Sequence, residues 1–131
     1  MKVLALDHGP ARTGVAVSDP TGTLARPLAA IARVDSPAGR RRLDAVIAEE
    51  APERIVVGDP RTASGERGAQ ARRAAGFAAR LRARVDVPVD LWDERLTTAE
   101  ARRRAGEAGS RADLDSLAAC VLLEAYLATA S

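Results

Sequence analysis

Apolar residues fall first in short runs and later at helical spacing. Lys2 to Leu6 carries an apolar run too short for a helix and branched enough for a strand, and Asp7-His8-Gly9-Pro10 is turn chemistry that stops it. Arg12 to Ser18 resumes as a second strand. Its Val15 and Val17, with the small Gly14 and Ala16, suit the middle of a sheet, and the close spacing of the two runs favours an antiparallel hairpin. Asp7 then sits at the mouth of that hairpin, beside a glycine that lets another group approach. A third, weaker strand is expected over Arg26 to Val34, ended by Asp35-Ser36-Pro37.

From there the spacing changes. Ser36 followed by Pro37 reads as a helix start, and Ala38 to Glu50 places Leu43, Val46 and Ile47 on one side with Arg40, Arg41, Asp44 and Glu49 on the other. Arg54 to Gly58 is short and apolar after a helix, the pattern of a buried parallel strand. Asp59 to Gly68 is a polar loop at the end of that strand, where such sheets place ligand contacts. Ala69 to Arg84 returns to helical spacing, with Ala74, Phe77, Ala78 and Leu81 inward and Gly76 as a weak point unless something packs closely there. Val87 to Trp92 is the last strand. Thr97-Thr98-Ala99-Glu100 is a capping box that opens a helix to about Gly106, and a final helix is expected from about Arg111 to Ala128. The order argues for an α/β fold with a mixed five-stranded sheet, an antiparallel meander first and parallel strands after it, flanked by helices.

Composition narrows the class. At 131 residues the chain is one domain's worth, and no apolar run approaches a membrane span, so a cytoplasmic location is expected. Twenty basic residues face 18 acidic ones, so net charge alone does not announce a nucleic-acid binder. Aromatics make up 2%, too few for a base-stacking platform; a nucleic-acid partner would be held by backbone charge and shape. The single cysteine, Cys120, is expected to pack in the final helix.

Three carboxylates stand out. Asp7 ends the first strand and Glu94 follows the last, so adjacent parallel strands would bring both to one edge of the sheet. In the final helix, Leu114, Leu117, Ala118, Val121, Leu122 and Ala125 form the expected apolar stripe, with Asp113, Ser116 and Glu124 on a polar face. Asp113 has a local explanation in the capping box Ser110 to Asp113, whereas Asp115 projects toward the packed side and there needs a partner or a cation. Carboxylates without cysteine or a second histidine select a hard cation, Mg²⁺ or Mn²⁺, and such ions catalyse phosphodiester hydrolysis. His8, alone in a turn, reads as a surface residue. Arg12, Arg61, Arg67 and Arg95 lie on segments that should open onto the same edge as the acids and are the expected substrate contacts.

Leu4-Ala5-Leu6-Asp7-His8-Gly9, Arg12 to Asp19, Ile55 to Pro60, Asp93-Glu94-Arg95-Leu96-Thr97-Thr98 and Asp115-Ser116-Leu117-Ala118-Ala119 together resemble the YqgF/RuvX family across nearly the whole chain. The resemblance implies one ribonuclease H-like nuclease domain over residues 1–131, with metal-binding catalytic acids at Asp7, Glu94 and Asp115. It also implies a role in processing pre-16S rRNA or in resolving Holliday junctions, so that the partner is precursor rRNA or branched DNA and no membrane. Two loops depart from the family's pattern: Ala11 stands where a lysine is usual, and Asp59 and Arg61 replace apolar residues around Pro60. A nucleic-acid-binding regulator that keeps the fold without cleaving is the alternative. A phosphate-binding lobe of the actin or sugar-kinase type also begins with strand-Asp-x-Gly, but it works in pairs and this chain holds one.

Overall fold

The computed structural model describes residues 1–60, 68–94 and 114–130, apart from the side chains at 114, 115 and 130. Strands β1 (Val3–Asp7), β2 (Arg12–Ser18), β3 (Ala25–Ala32), β4 (Arg54–Asp59) and β5 (Val89–Asp93) form one sheet in the order β3-β2-β1-β4-β5. The first three run as an antiparallel meander, and β4 and β5 join parallel to β1, as the order of elements predicts. Three helices are described: α1 (Pro37–Glu50), α2 (Ala69–Arg82) and α3 (Leu114–Ala130). The helix expected over Thr97–Gly106 lies outside the described residues.

β1 is the central strand, and its period-two side chains build both cores. Leu4 and Leu6 point to the face covered by α1 and α2, where they join Val15, Leu43, Phe77 and Leu81. Val3 and Ala5 point the other way, to Ala16, Val56 and the buried face of α3. Small residues on that side let the helix approach closely.

Local chemistry explains the helix ends. Ser36 caps α1 by accepting from the Gly39 amide at 3.0 Å, with Pro37 in the first turn. Ala51 closes it in the left-handed region, its N–H donating to the Ile47 carbonyl. The turn before α1 is strained. Arg33 has φ 45°, a conformation that costs an L-residue roughly 1–2 kcal/mol. Its amide donates to Ala11 O at 3.0 Å, and its carbonyl accepts from the Ser36 amide and hydroxyl at 2.9 and 2.6 Å. Gly39 is needed against this turn, because a Cβ there would meet Arg33 O at 2.1 Å.

The face of α3 differs from the expected stripe. Ala118 is exposed and Leu117 and Val121 are half-buried, while Ser116, Ala119, Cys120, Leu123 and Glu124 are buried. This helix is apolar on nearly every side, so periodicity carried little contrast and the sheet's own needs chose the face. β2 and β3 shift register between Thr13 and Val15, and the Ser116 hydroxyl enters there, accepting from Val15 N at 3.1 Å and donating to Leu28 O at 2.6 Å. A polar side chain thus became the anchor of the helix.

Candidate functional site

β4 lies between β1 and β5, parallel to both, so the carboxyl ends of the three strands share one edge. Asp7 ends β1, Asp59 ends β4, and Asp93 ends β5 with Glu94 directly after it. The expectation that Asp7 and Glu94 emerge together holds: their side chains are hydrogen-bonded to each other. Gly58 makes room for the pair, since a Cβ at that position would lie 2.6 Å from Glu94 Oε1. Opposite them, Asp7 is the ladder partner of Gly14, which lies within the register shift that Ser116 fills.

The electrostatics are those of a site short of positive charge. Burial raises the Glu94 carboxyl from its ordinary 4.5 to about 7, aided by the charge of Asp7, the hydrogen bond with Asp7, and the charges of Asp59 and Asp93. The Asp7–Glu94 pair therefore takes up a proton more readily than isolated carboxylates do. Asp59 is 2% exposed and was not singled out in the sequence, where it reads only as a departure from a motif. Its one signal was its place: the acid closing an otherwise apolar parallel strand.

Asp115 occupies the second position of α3, one turn before buried Ala119 and directly before Ser116. Its side chain lies outside the described residues, as do Arg61, Arg67 and Arg95. Among the described residues no set of three histidine, cysteine or acidic side chains is arranged as a ready metal site. The donors present nonetheless suit a hard divalent cation: they are carboxylate oxygens, and their mutual repulsion, which helps raise the Glu94 carboxyl, is relieved by positive charge. Arg12 is exposed at the start of β2, beside the loop that follows Asp7.

His8 corrects the surface reading. It is 8% exposed, stacks on Phe77 with ring centroids 4.6 Å apart, and brings Nε2 to 3.1 Å from Asp35 Oδ2. Burial and the ring contact make it a structural tie between the β1–β2 loop, α2 and the turn before α1. Cys120 packs as expected: it is buried, and burial together with Glu124 raises its thiol to about 11.

A family model described as "RuvX: Holliday junction resolvase" matches residues 1–129. Among curated relatives, a protein of Rubrobacter xylanophilus is 46% identical over 96% of this chain and 91% of its own length. One from Desulforudis audaxviator is 39% identical over 97% and 94%. Both carry the name "Putative pre-16S rRNA nuclease". Among solved structures, Thermus thermophilus RuvC in complex with Holliday junction substrate aligns with a TM-score of 0.66 at 17% identity, covering 99% of this chain and 94% of that one. The fowlpox virus resolvase, also with Holliday junction DNA, aligns at 0.59 and 12%, covering 99% of each chain. At such identities the likeness shows the fold, and it is ribonuclease H-like.

Proposed function

Because the chain belongs to the RuvX family, matched over residues 1–129, we infer that it is a nuclease that hydrolyses phosphodiester bonds with Mg²⁺ or Mn²⁺ and acts on the 5′ end of pre-16S rRNA. The observation that carries this reading is the Asp7–Glu94 pair at the strand ends, with a carboxyl raised to about 7 by burial and by three neighbouring acids. Carboxylates crowded this way repel one another until a proton or a cation intervenes. Asp7, Glu94 and Asp115 would hold the cation. When bound, it supplies Lewis acidity toward the phosphoryl oxygens.

The chain's own residues perform the remaining tasks. Asp7 is fixed in the central strand, whose ladder pairing on both sides removes backbone freedom. Glu94 lies over bare Gly58, and its raised carboxyl would be returned to the ionised form by a cation held there. Ser116 pins the first turn of α3 to the sheet, and with it the position of Asp115. Arg12, Arg61, Arg67 and Arg95 contribute charge toward the strand being cut.

Branched DNA is the second reading, favoured by the description of the matching family. The test is cleavage of 5′-extended 16S precursor and of a four-way DNA junction by purified protein, with Mg²⁺ or Mn²⁺ and with chelator. Cation-dependent trimming of the precursor, lost in Asp7→Asn, is expected. Selective cleavage of the junction would move the substrate to DNA. Cleavage of neither, or equal cleavage by Asp7→Asn, would overturn the assignment.

A further inference from the structure

On the α2 side of the sheet, after the end of β1, lies a second feature that the catalytic reading does not use. A cavity of about 380 Å³ opens between the β1–β2 loop at residues 8–10, the turn before α1 and the outer face of α2. Arg33, Arg72, Arg73 and Arg80 line it, with Asp35 as the one acid among the described lining residues. The whole chain has nearly equal numbers of basic and acidic residues, so four arginines against one acid among the described residues is a local excess. Asp35 is also already matched: Arg80 Nη2 lies 3.0 Å from its Oδ1, and His8 Nε2 3.1 Å from its Oδ2.

The cavity is constructed as well as charged. Arg33 is held at its positive φ by bonds to Ala11 and Ser36, an unfavourable conformation maintained at the rim. Gln70 donates from Nε2 to His8 O at 2.5 Å, clipping the first turn of α2 to the loop that follows Asp7. Gly76 lines the cavity in mid-helix, where alanine would ordinarily be preferred, and a Cβ there would come to 3.2 Å from Arg80 Nη1. The close packing sought for Gly76 in the sequence is therefore this guanidinium.

We propose that this cavity is a phosphate-binding site for the substrate strand, taking a phosphate other than the scissile one, whether an internal diester or a chain-end monoester. Guanidinium groups suit phosphate through paired N–H donors and permanent charge. The cavity opens at the end of β1 that carries Asp7, on the α2 side of the sheet, where His8 lines it and stacks on Phe77. A volume of about 380 Å³ lies near the lower end of small-ligand pockets, roughly 300–1,000 Å³, enough for one nucleotide unit. The identity of the strand rests on the nuclease reading; the preference for phosphate does not.

The test is fluorescence anisotropy in chelator, where no cleavage occurs, with a short single-stranded RNA bearing either a 5′-hydroxyl or a 5′-phosphate, over a salt series. The double variant Arg72→Ala, Arg73→Ala should flatten the salt slope by about 1.4 log units, two contacts at about 0.7 each. Arg40→Ala, Arg41→Ala, on the exposed face of α1, should not. Gly76→Gln places a side chain in the cavity, so binding should weaken in a variant whose melt stays cooperative. If a 5′-phosphate tightens binding to the wild type but not to the double variant, the occupant is the chain-end monoester; equal effects assign the internal diester. Equal slopes for the α2 and α1 variants, unchanged binding by Gly76→Gln, or no RNA binding by the wild type would overturn the proposal. Undiminished cleavage by the α2 variant would remove this site and leave the nuclease reading, whereas phosphate-dependent binding by a protein that cuts nothing would do the reverse.

Discussion

Glu94→Gln should make the cation-free protein more stable while removing its cation-dependent cleavage. The folded state raises this carboxyl from 4.5 to about 7, through burial first and the charges of Asp7, Asp59 and Asp93 after it. A group raised on folding contributes its stability in full below its unfolded value and loses it as pH climbs through the folded one, so wild-type stability falls between about pH 4.5 and pH 7. Each tenfold change in proton affinity is worth about 1.4 kcal/mol, which places the unscreened loss at about 3 kcal/mol by pH 8. Glu94 is half-buried, and solvent screening reduces this to about 1 kcal/mol. Glutamine keeps the size and the donor toward Asp7 but cannot ionise. In urea melts with chelator, the variant should match the wild type at about pH 5 and exceed it by about 1 kcal/mol at about pH 8. Adding Mg²⁺ or Mn²⁺ at the higher pH should reverse the order, because a ligand stabilises only the form that binds it. Parallel pH profiles in chelator, or a variant less stable than the wild type at about pH 8, would refute the crowded-carboxylate argument.

Other residues give independent checks. Gly58→Ala should leave the melt nearly unchanged, since the Cβ meets only the movable end of Glu94, yet reduce cleavage by on the order of 10²-fold through displacement of that carboxyl; wild-type activity would refute the role of this glycine. Ser116→Ala strips partners from a buried Val15 amide and the Leu28 carbonyl and should cost about 1–3 kcal/mol in urea unfolding. Asp115→Asn should abolish cation-dependent cleavage with folding intact, while Asp113→Asn should cost about 1 kcal/mol or less and spare activity; the reverse pattern in parallel melts and cleavage assays would shift the helix register.

Turn chemistry and period made the strand order, Asp7 and Glu94 legible from sequence, because each acid sits where an apolar run stops, and local sterics decide where a strand stops. The same local logic located the cap at Ser36 and the inward side of α2 at Ala74, Phe77, Ala78 and Leu81. It failed where the deciding partner is distant in the chain. α3 is apolar nearly all round, so its face was chosen by a register shift in β2 and β3, whose polar groups drew Ser116 inward across 101 and 88 positions of sequence. His8 was buried by Phe77 and Asp35, and Asp59 is buried at the end of β4, where the sequence gives no sign of what covers it. The grouping of Arg33, Arg72, Arg73 and Arg80 likewise has no sequence signature: each is one more arginine in an arginine-rich chain until the turn before α1 and the outer face of α2 are brought to the same cavity. Periodicity reports which side of an element avoids water, but only packing determines what that side meets.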